Sequence, residues 1–164
     1  MARGYSLLYK LNATGVPKLI TRLIQSYFSN RTIQVSIANK ISNPVNLQAG
    51  TPQGSVLSPL LYLIYVNDIP LEASNGVRAG QYADDINGWA SGTSQKRVSI
   101  KLQKTLTGIE NWSRKWRIKI NPLKTQLLTS KRAKNSIKLE INDTQIKDSN
   151  NIKILGLTID KSAS

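Results

Sequence analysis

Residues 49–70 read AGTPQGSVLSPLLYLIYVNDIP, and residues 77–90 read VRAGQYADDINGWA. The first stretch joins a loop dense in Gly, Pro and Ser to an apolar run from Leu57 to Val66. That run is too long for an ordinary strand. It predicts a buried helix opening near Ser58, with Pro59 in the first turn, where its missing N–H leaves no bond unmade. The second stretch alternates poorly, but the adjacent Asp84 and Asp85 carry turn chemistry. Two short extended arms around that pair are expected.

Working outward, residues 17–28 (PKLITRLIQSYF) place Leu19, Ile20, Leu23, Ile24, Tyr27 and Phe28 at helical spacing, with Pro17 suited to a first helical position. Residues 31–37 alternate, with Ile33, Val35 and Ile37 on one face, which predicts a strand. A turn at Asn43-Pro44 lets residues 45–48 pair back as a hairpin. Beyond the aspartates, Ser94 caps an expected long helix reaching about Arg117. Val98, Leu102, Ile109, Trp112 and Trp116 form its apolar stripe, and Lys96, Arg97, Lys101 and Lys104 lie mostly off it. Asn121-Pro122 ends that unit, and residues 125–129, 137–141 and 152–159 are three short strand candidates. Helices and antiparallel-looking strands without regular βαβ alternation predict an α+β fold, with helices on one sheet face.

At 164 residues the chain fits one domain. Twenty-three Lys and Arg against nine Asp and Glu give a formal charge of +14. That excess points to a polyanion, and nucleic acid fits better than a membrane surface because no long amphipathic basic helix stands out as an anchor. A basic surface that only keeps a small domain soluble is the competing explanation. Cysteine and histidine are both absent, which excludes zinc fingers, thiol catalysis, disulfides and Ser-His or Cys-His mechanisms. A bound metal would need oxygen ligands, which suits Mg2+ or Mn2+. Residues 1–10 show no signal-peptide pattern and no apolar run reaches membrane-spanning length, so an intracellular protein, nuclear or cytoplasmic, is expected.

Three features carry chemistry. Adjacent Asp84 and Asp85 repel each other, and a divalent cation would neutralise both; the alternative is a solvated hairpin tip. Residues 50–55 (GTPQGS) allow close backbone approach beside a helix start, but lack the Lys-Ser/Thr ending of a P-loop, so an ATPase reading fails. Between Ser91 and Lys134 stand twelve basic residues (Lys96, Arg97, Lys101, Lys104, Arg114, Lys115, Arg117, Lys119, Lys124, Lys131, Arg132 and Lys134) against the single acid Glu110, a balance that favours phosphate contact. Trp112 and Trp116, on the apolar stripe, are expected in the core rather than as stacking platforms.

Order and spacing then add what the pieces lack. Residues 49–70 followed by QYADD (residues 81–85) resemble motifs B and C of reverse transcriptases, in wording similar to the jockey-like non-LTR retrotransposons of arthropods. NWSRKWRIKINPLKTQLL (residues 111–128) resembles motif D and its preceding helix, and ILGLTID (residues 154–160) resembles motif E. LLYKLNATGVPKLITRLIQSYFSNRTIQV (residues 7–35) resembles the stretch between motifs A and B. The resemblance implies an incomplete right-hand polymerase palm: one partial domain over residues 1–164, a mostly antiparallel sheet with helices packed on one face, and a palm–thumb junction beginning near residues 150–164.

It further implies RNA- or DNA-templated DNA synthesis with two Mg2+ (or Mn2+) ions, an RNA template, a DNA primer, deoxynucleotides, no membrane, and the rest of a retroelement polyprotein as partner. By position, Asp84 and Asp85 would be metal carboxylates and Tyr82 would lie beside the primer end. Gln53 and Gly54 would lie near the template and incoming nucleotide. Lys124 would approach the nucleotide phosphates, where it could donate a proton to pyrophosphate. Ile86 stands where the family more often has a small polar residue. The family's motif A aspartate precedes LLYKL in a phrase like FDxVWHxGLLYKL, whereas this chain reads MARGYSLLYKL and its first acidic residue is Asp68. The motif A carboxylate is therefore expected to be missing, leaving activity of the isolated chain doubtful. A nucleic-acid-binding remnant without catalysis, or a gene fragment without function, is the alternative.

Overall fold

The computed structural model describes residues 2–47, 50–52, 54–71, 74, 76–130 and 137–162, with side chains from Ser6 onward. The chain divides into two compact units, Met1–Asp68 and Ile69–Ser164.

In the first unit, α1 (Ala2–Ala13) and α2 (Lys18–Phe28) are joined by a tight link. Gly15 takes φ 77°, and the N–H groups of Gly15 and Val16 donate to the carbonyls of Asn12 and Leu11. This pair of bonds satisfies the carbonyls that a helix end leaves open, and it turns the chain sharply into α2. Pro17 sits one position outside α2, as its cap. The core consists of Leu7, Leu11, Ile24 and Leu61, with Leu8, Val16, Phe28, Ile64 and Tyr65 packed against it.

The expected strand over residues 31–37 is broken. β1 (Thr32–Ile33) and β2 (Ser36–Ile37) are separate; β2 pairs with β3 (Lys40–Ile41) and β1 with β4 (Val45–Asn46), both antiparallel. The break has a local cause. The Val35 N–H donates to the Ser42 hydroxyl, and the Gln34 amide donates to the Ser42 carbonyl, so side chains replace ladder bonds at this point. Ile33, Val35 and Ile37 are all exposed rather than forming a covered face. The pairing back of residues 45 and 46 is as expected; Gln48 lies outside the described residues.

α3 (Leu57–Val66) has the bounds of the apolar run. It is only half covered: Leu61 and Val66 are buried, whereas Leu57, Leu60 and Leu63 are exposed. Sequence alone predicted a fully buried helix because the run is apolar all round. At its end Lys10, 4% exposed, donates to the Tyr65 carbonyl and pairs with the Asp68 carboxylate, its ammonium 4.9 Å from the Tyr65 ring centre. A cation at a helix C-terminus satisfies open carbonyls and complements the helix dipole.

The second unit contains the expected hairpin, β5 (Val77–Tyr82) and β6 (Asp85–Ala90), but its turn falls one residue earlier than the aspartate pair, at Ala83 and Asp84, with Asp85 already in β6. The hairpin packs against α4 (Gln95–Trp116), whose Ser94 hydroxyl accepts from the Arg97 N–H and whose end is closed by Arg117 in the left-handed region. The stripe is as expected: Val98, Ile109, Trp112 and Trp116 are buried, and both tryptophans are core. A short 3-10 helix (Pro122–Lys124) follows, capped by Asn121.

The remaining ladders are short. β7 (Gln126–Leu127) runs parallel to β10 (Lys147–Asp148), and β8 (Glu140–Ile141) pairs with β9 (Thr144–Gln145). The candidate strand over residues 152–159 folds on itself as β11 (Asn151–Ile154) and β12 (Leu157–Asp160), because Leu155 and Gly156 take φ 49° and 90° and form a two-residue turn. Leu127, Leu139, Ile141 and Ile146 form the second core with Leu102 and Leu106 of α4. The Gln103 amide donates to the Glu140 carbonyl and accepts from the Glu140 N–H, both at 2.9 Å, tying α4 to β8. The α+β character is as expected. In place of one sheet, the described residues form six two-stranded ladders, five of them antiparallel. Among the described residues no helix is long and apolar enough to cross a membrane.

Candidate active site

The β5–β6 register pairs Tyr82 with Asp85 and leaves Ala83 and Asp84 as a two-residue turn. Ala83 has φ 51° and Asp84 does not share the positive sign. A positive φ at the first turn position alone is the signature of a type II′ hairpin turn, usually made with glycine there. The left-handed region costs an L-residue about 1–2 kcal/mol, so the turn that presents both aspartates is strained. Backbone strain of this kind clusters at functional sites.

Both carboxylates are exposed, and neither is engaged by a basic side chain among the described residues. They are adjacent hard oxygen donors, the donor chemistry that Mg2+ accepts when substrate phosphates and water complete its shell. Among the described residues no group of three potential metal ligands forms. Asp68, the acidic residue nearest in sequence before the hairpin described in the structure, is held by Lys10.

Residues directly opposite in a ladder share a face. One face of the hairpin carries Tyr82 and Asp85, then Gly80 and Asn87, then Arg78 and Trp89. Tyr82 is 66% and Trp89 56% exposed. The other face, including buried Val77, is the more covered, and the loop after β6 touches α4, where a Cβ on Gly92 would stand 3.2 Å from Val98. Arg78 and Trp89 were not singled out from sequence. Counting the register back from a two-residue turn at Ala83-Asp84 would have put them on the face of Tyr82.

The other expected site residues are placed as follows. Lys124 is exposed at the end of the 3-10 helix, in the same unit as the hairpin. Gly54 lies in the first unit, exposed, with φ 80°. Gln53 lies outside the described residues. The loop around Gly54 is anchored by contacts that sequence reading missed. Tyr27 Oη donates to Ser55 Oγ at 2.7 Å, Arg31 Nη1 to the Gly50 carbonyl at 2.9 Å, and Ser58 Oγ to the Pro52 carbonyl at 2.6 Å. Of the twelve basic residues noted from sequence, Lys131, Arg132 and Lys134 lie outside the described residues; of the other nine, all but half-buried Lys101 are exposed.

Residues 4–159 match the family described as reverse transcriptase (RNA-dependent DNA polymerase). The chain is 32% identical over 163 residues to the RNA-directed DNA polymerase from mobile element jockey of Drosophila funebris, covering 95% of this chain and 18% of that protein. It is 32% identical over 148 residues to the probable RNA-directed DNA polymerase from transposon BS of Drosophila melanogaster, covering 85% of this chain and 16% of that protein. The jockey polymerase of Drosophila melanogaster is 30% identical over 162 residues. The chain thus spans under a fifth of the length of these curated relatives. With the YADD turn and these matches together, the chain belongs to the reverse transcriptase family, in its non-LTR, jockey-like retrotransposon branch.

Proposed function

We propose that this chain is part of a polymerase palm that performs RNA-templated DNA synthesis, with Asp84 and Asp85 as its metal carboxylates. The observation that carries the reading is the strained two-residue turn that presents both carboxylates beside exposed Tyr82. Two bound divalent ions would activate the attacking primer oxygen and stabilise the leaving pyrophosphate. The chain's own residues supply the rest. Asp84 and Asp85 hold negative charge at one point, and Tyr82, on the face of Asp85, meets the primer end. Lys124 approaches the nucleotide phosphates and is a proton donor to pyrophosphate, while the Gly54 loop lies along the template. RNA template, DNA primer and deoxynucleotides are the partners in this reading, alongside the remainder of a longer retroelement product. Asp68 is not available as a third ligand while it holds Lys10. The greater length of the relatives leaves room for a further carboxylate from sequence outside these 164 residues.

The test is primer extension on an RNA template with purified protein, Mg2+ and deoxynucleotides, beside an Asp84→Ala/Asp85→Ala control. Extension that vanishes in the control supports the reading. Extension that persists in the control removes the two aspartates from the chemistry. The lack of a third ligand among the described residues favours one second reading, nucleic-acid binding without synthesis. Salt-sensitive RNA binding with no extension would select it.

A further inference from the structure

The long helix α4 carries positive charge along one exposed side. At 3.6 residues per turn, Lys96, Arg97, Lys104, Arg114 and Lys115 fall within one sector of about 100°, shared with Ile100, Thr107 and Asn111. Every residue of this sector is exposed. The five cations extend over about 29 Å of helix. No acid lies in the sector. Glu110, the single acid of α4, lies outside the sector and is engaged by Arg114 at 3.0 Å, and among the described residues Lys96, Arg97, Lys104 and Lys115 form no salt bridge.

The rest of the helix surface is occupied. Val98, Ile109, Trp112 and Trp116 are buried, Val98 lies beside Gly92 at the end of the hairpin, and Ser99 and Gln103 bond to the backbone of Lys138 and Glu140. Val98, the α4 side chain beside the end of the hairpin, lies about 100° around the helix from the nearest edge of this sector, so the ridge and the hairpin contact occupy different faces of α4. An interfacial helix needs a free apolar face to enter a lipid surface, and the apolar face of α4 is already core. A ridge of exposed cations about 29 Å long is instead complementary to a phosphodiester backbone, which presents negative charge along the whole of that length.

We propose that the outer face of α4, through Lys96, Arg97, Lys104 and Lys115, is a second nucleic-acid surface, separate from the hairpin face, that holds an RNA backbone. It rests on the polymerase reading only for the choice of RNA as the polyanion.

The experiment measures binding of single-stranded and duplex RNA to the full chain across 50–200 mM salt. Lys96→Gln/Arg97→Gln/Lys104→Gln/Lys115→Gln is compared with a control carrying Lys18→Gln/Arg22→Gln/Lys40→Gln/Lys153→Gln, four cations that are also exposed. Glutamine is a good helix former, so α4 is preserved. If all four cations contact a single strand, the slope of log affinity against log salt falls by about 2.8, which removes about 50-fold of the salt dependence over that range. The control loses much less. The arm with the larger loss identifies the RNA form. Equal losses in both variants would show diffuse attraction and overturn the proposal, as would an unchanged slope. Loss of binding to phosphatidylserine vesicles with RNA binding intact would overturn it in favour of lipid. Asp84→Ala/Asp85→Ala keeps the slope, so failed primer extension with an intact ridge effect sinks the polymerase reading alone.

Discussion

Asp68→Asn is expected to loosen the first unit more than Lys10→Met, although both remove the same ion pair. Lys10 is 4% exposed, and its ammonium is surrounded by the Asp68 carboxylate, the Tyr65 carbonyl and the Tyr65 ring. Taking away the carboxylate leaves a buried charge without this ion partner, beside the Tyr65 carbonyl and ring. Breaking a fully buried pair costs about 3–5 kcal/mol. The Asp68 side chain is 48% exposed, so water already screens the pair from that side and reaches the lysine once the charge is gone. That lowers the expectation to about 2 kcal/mol. Lys10→Met replaces the ammonium with an apolar chain of similar shape, and Asp68 rehydrates; the loss is then about 1 kcal/mol, from the hydrogen bonds alone. Trp89, Trp112 and Trp116 all follow residue 68, so indole fluorescence does not follow this unit. Native-state amide exchange in α1 and α3 does. Exchange there should quicken by about 30-fold in Asp68→Asn and about fivefold in Lys10→Met. An equal or larger effect of Lys10→Met would refute the argument that a buried charge deprived of its carboxylate dominates.

Ala83→Gly should raise stability by up to about 1 kcal/mol by relieving the left-handed residue, and Ala83→Val should lower it by more than that, read from urea unfolding followed by tryptophan fluorescence. Ser94→Ala removes the acceptor for the Arg97 N–H and should cost about 1 kcal/mol, seen as a lower urea midpoint in the same signal. Leu155→Asn, at φ 49° and 58% exposed, should stabilise the β11–β12 turn by about 0.5–1 kcal/mol. A thermal melt by far-UV circular dichroism would detect it as a higher midpoint.

The parts of the fold legible in the sequence are those written in local signals. The start of α4 is marked by Ser94, and its stripe repeats at helical spacing to Trp116. The apolar run of residues 57–66 is long enough to specify α3, and the two adjacent aspartates mark the hairpin, whose turn lies one residue before the pair, at Ala83 and Asp84. Where the reading failed, local chemistry that the apolar pattern does not record decided the outcome. Ser42 takes the bond that would have continued the strand at Val35. The apolar alternation of residues 152–159 hid a turn because Leu155, a residue that rarely takes positive φ, occupies its first position. Helix α1 received no assignment because residues 1–16 lack a cap signal at their start.

The sequence by itself determined the family, the carboxylates at positions 84 and 85, and the excess of positive charge, because motif order and composition need no coordinates. Only the tertiary structure decided that Asp68 is bound to Lys10, that Tyr82, Asp85, Arg78 and Trp89 share an open face, and that one sector of α4 cations stays exposed while the rest of the helix is covered. These are relations of burial, register and direction. They depend on which chain segments pack together, and a one-dimensional pattern of apolar and charged residues is compatible with more than one such packing.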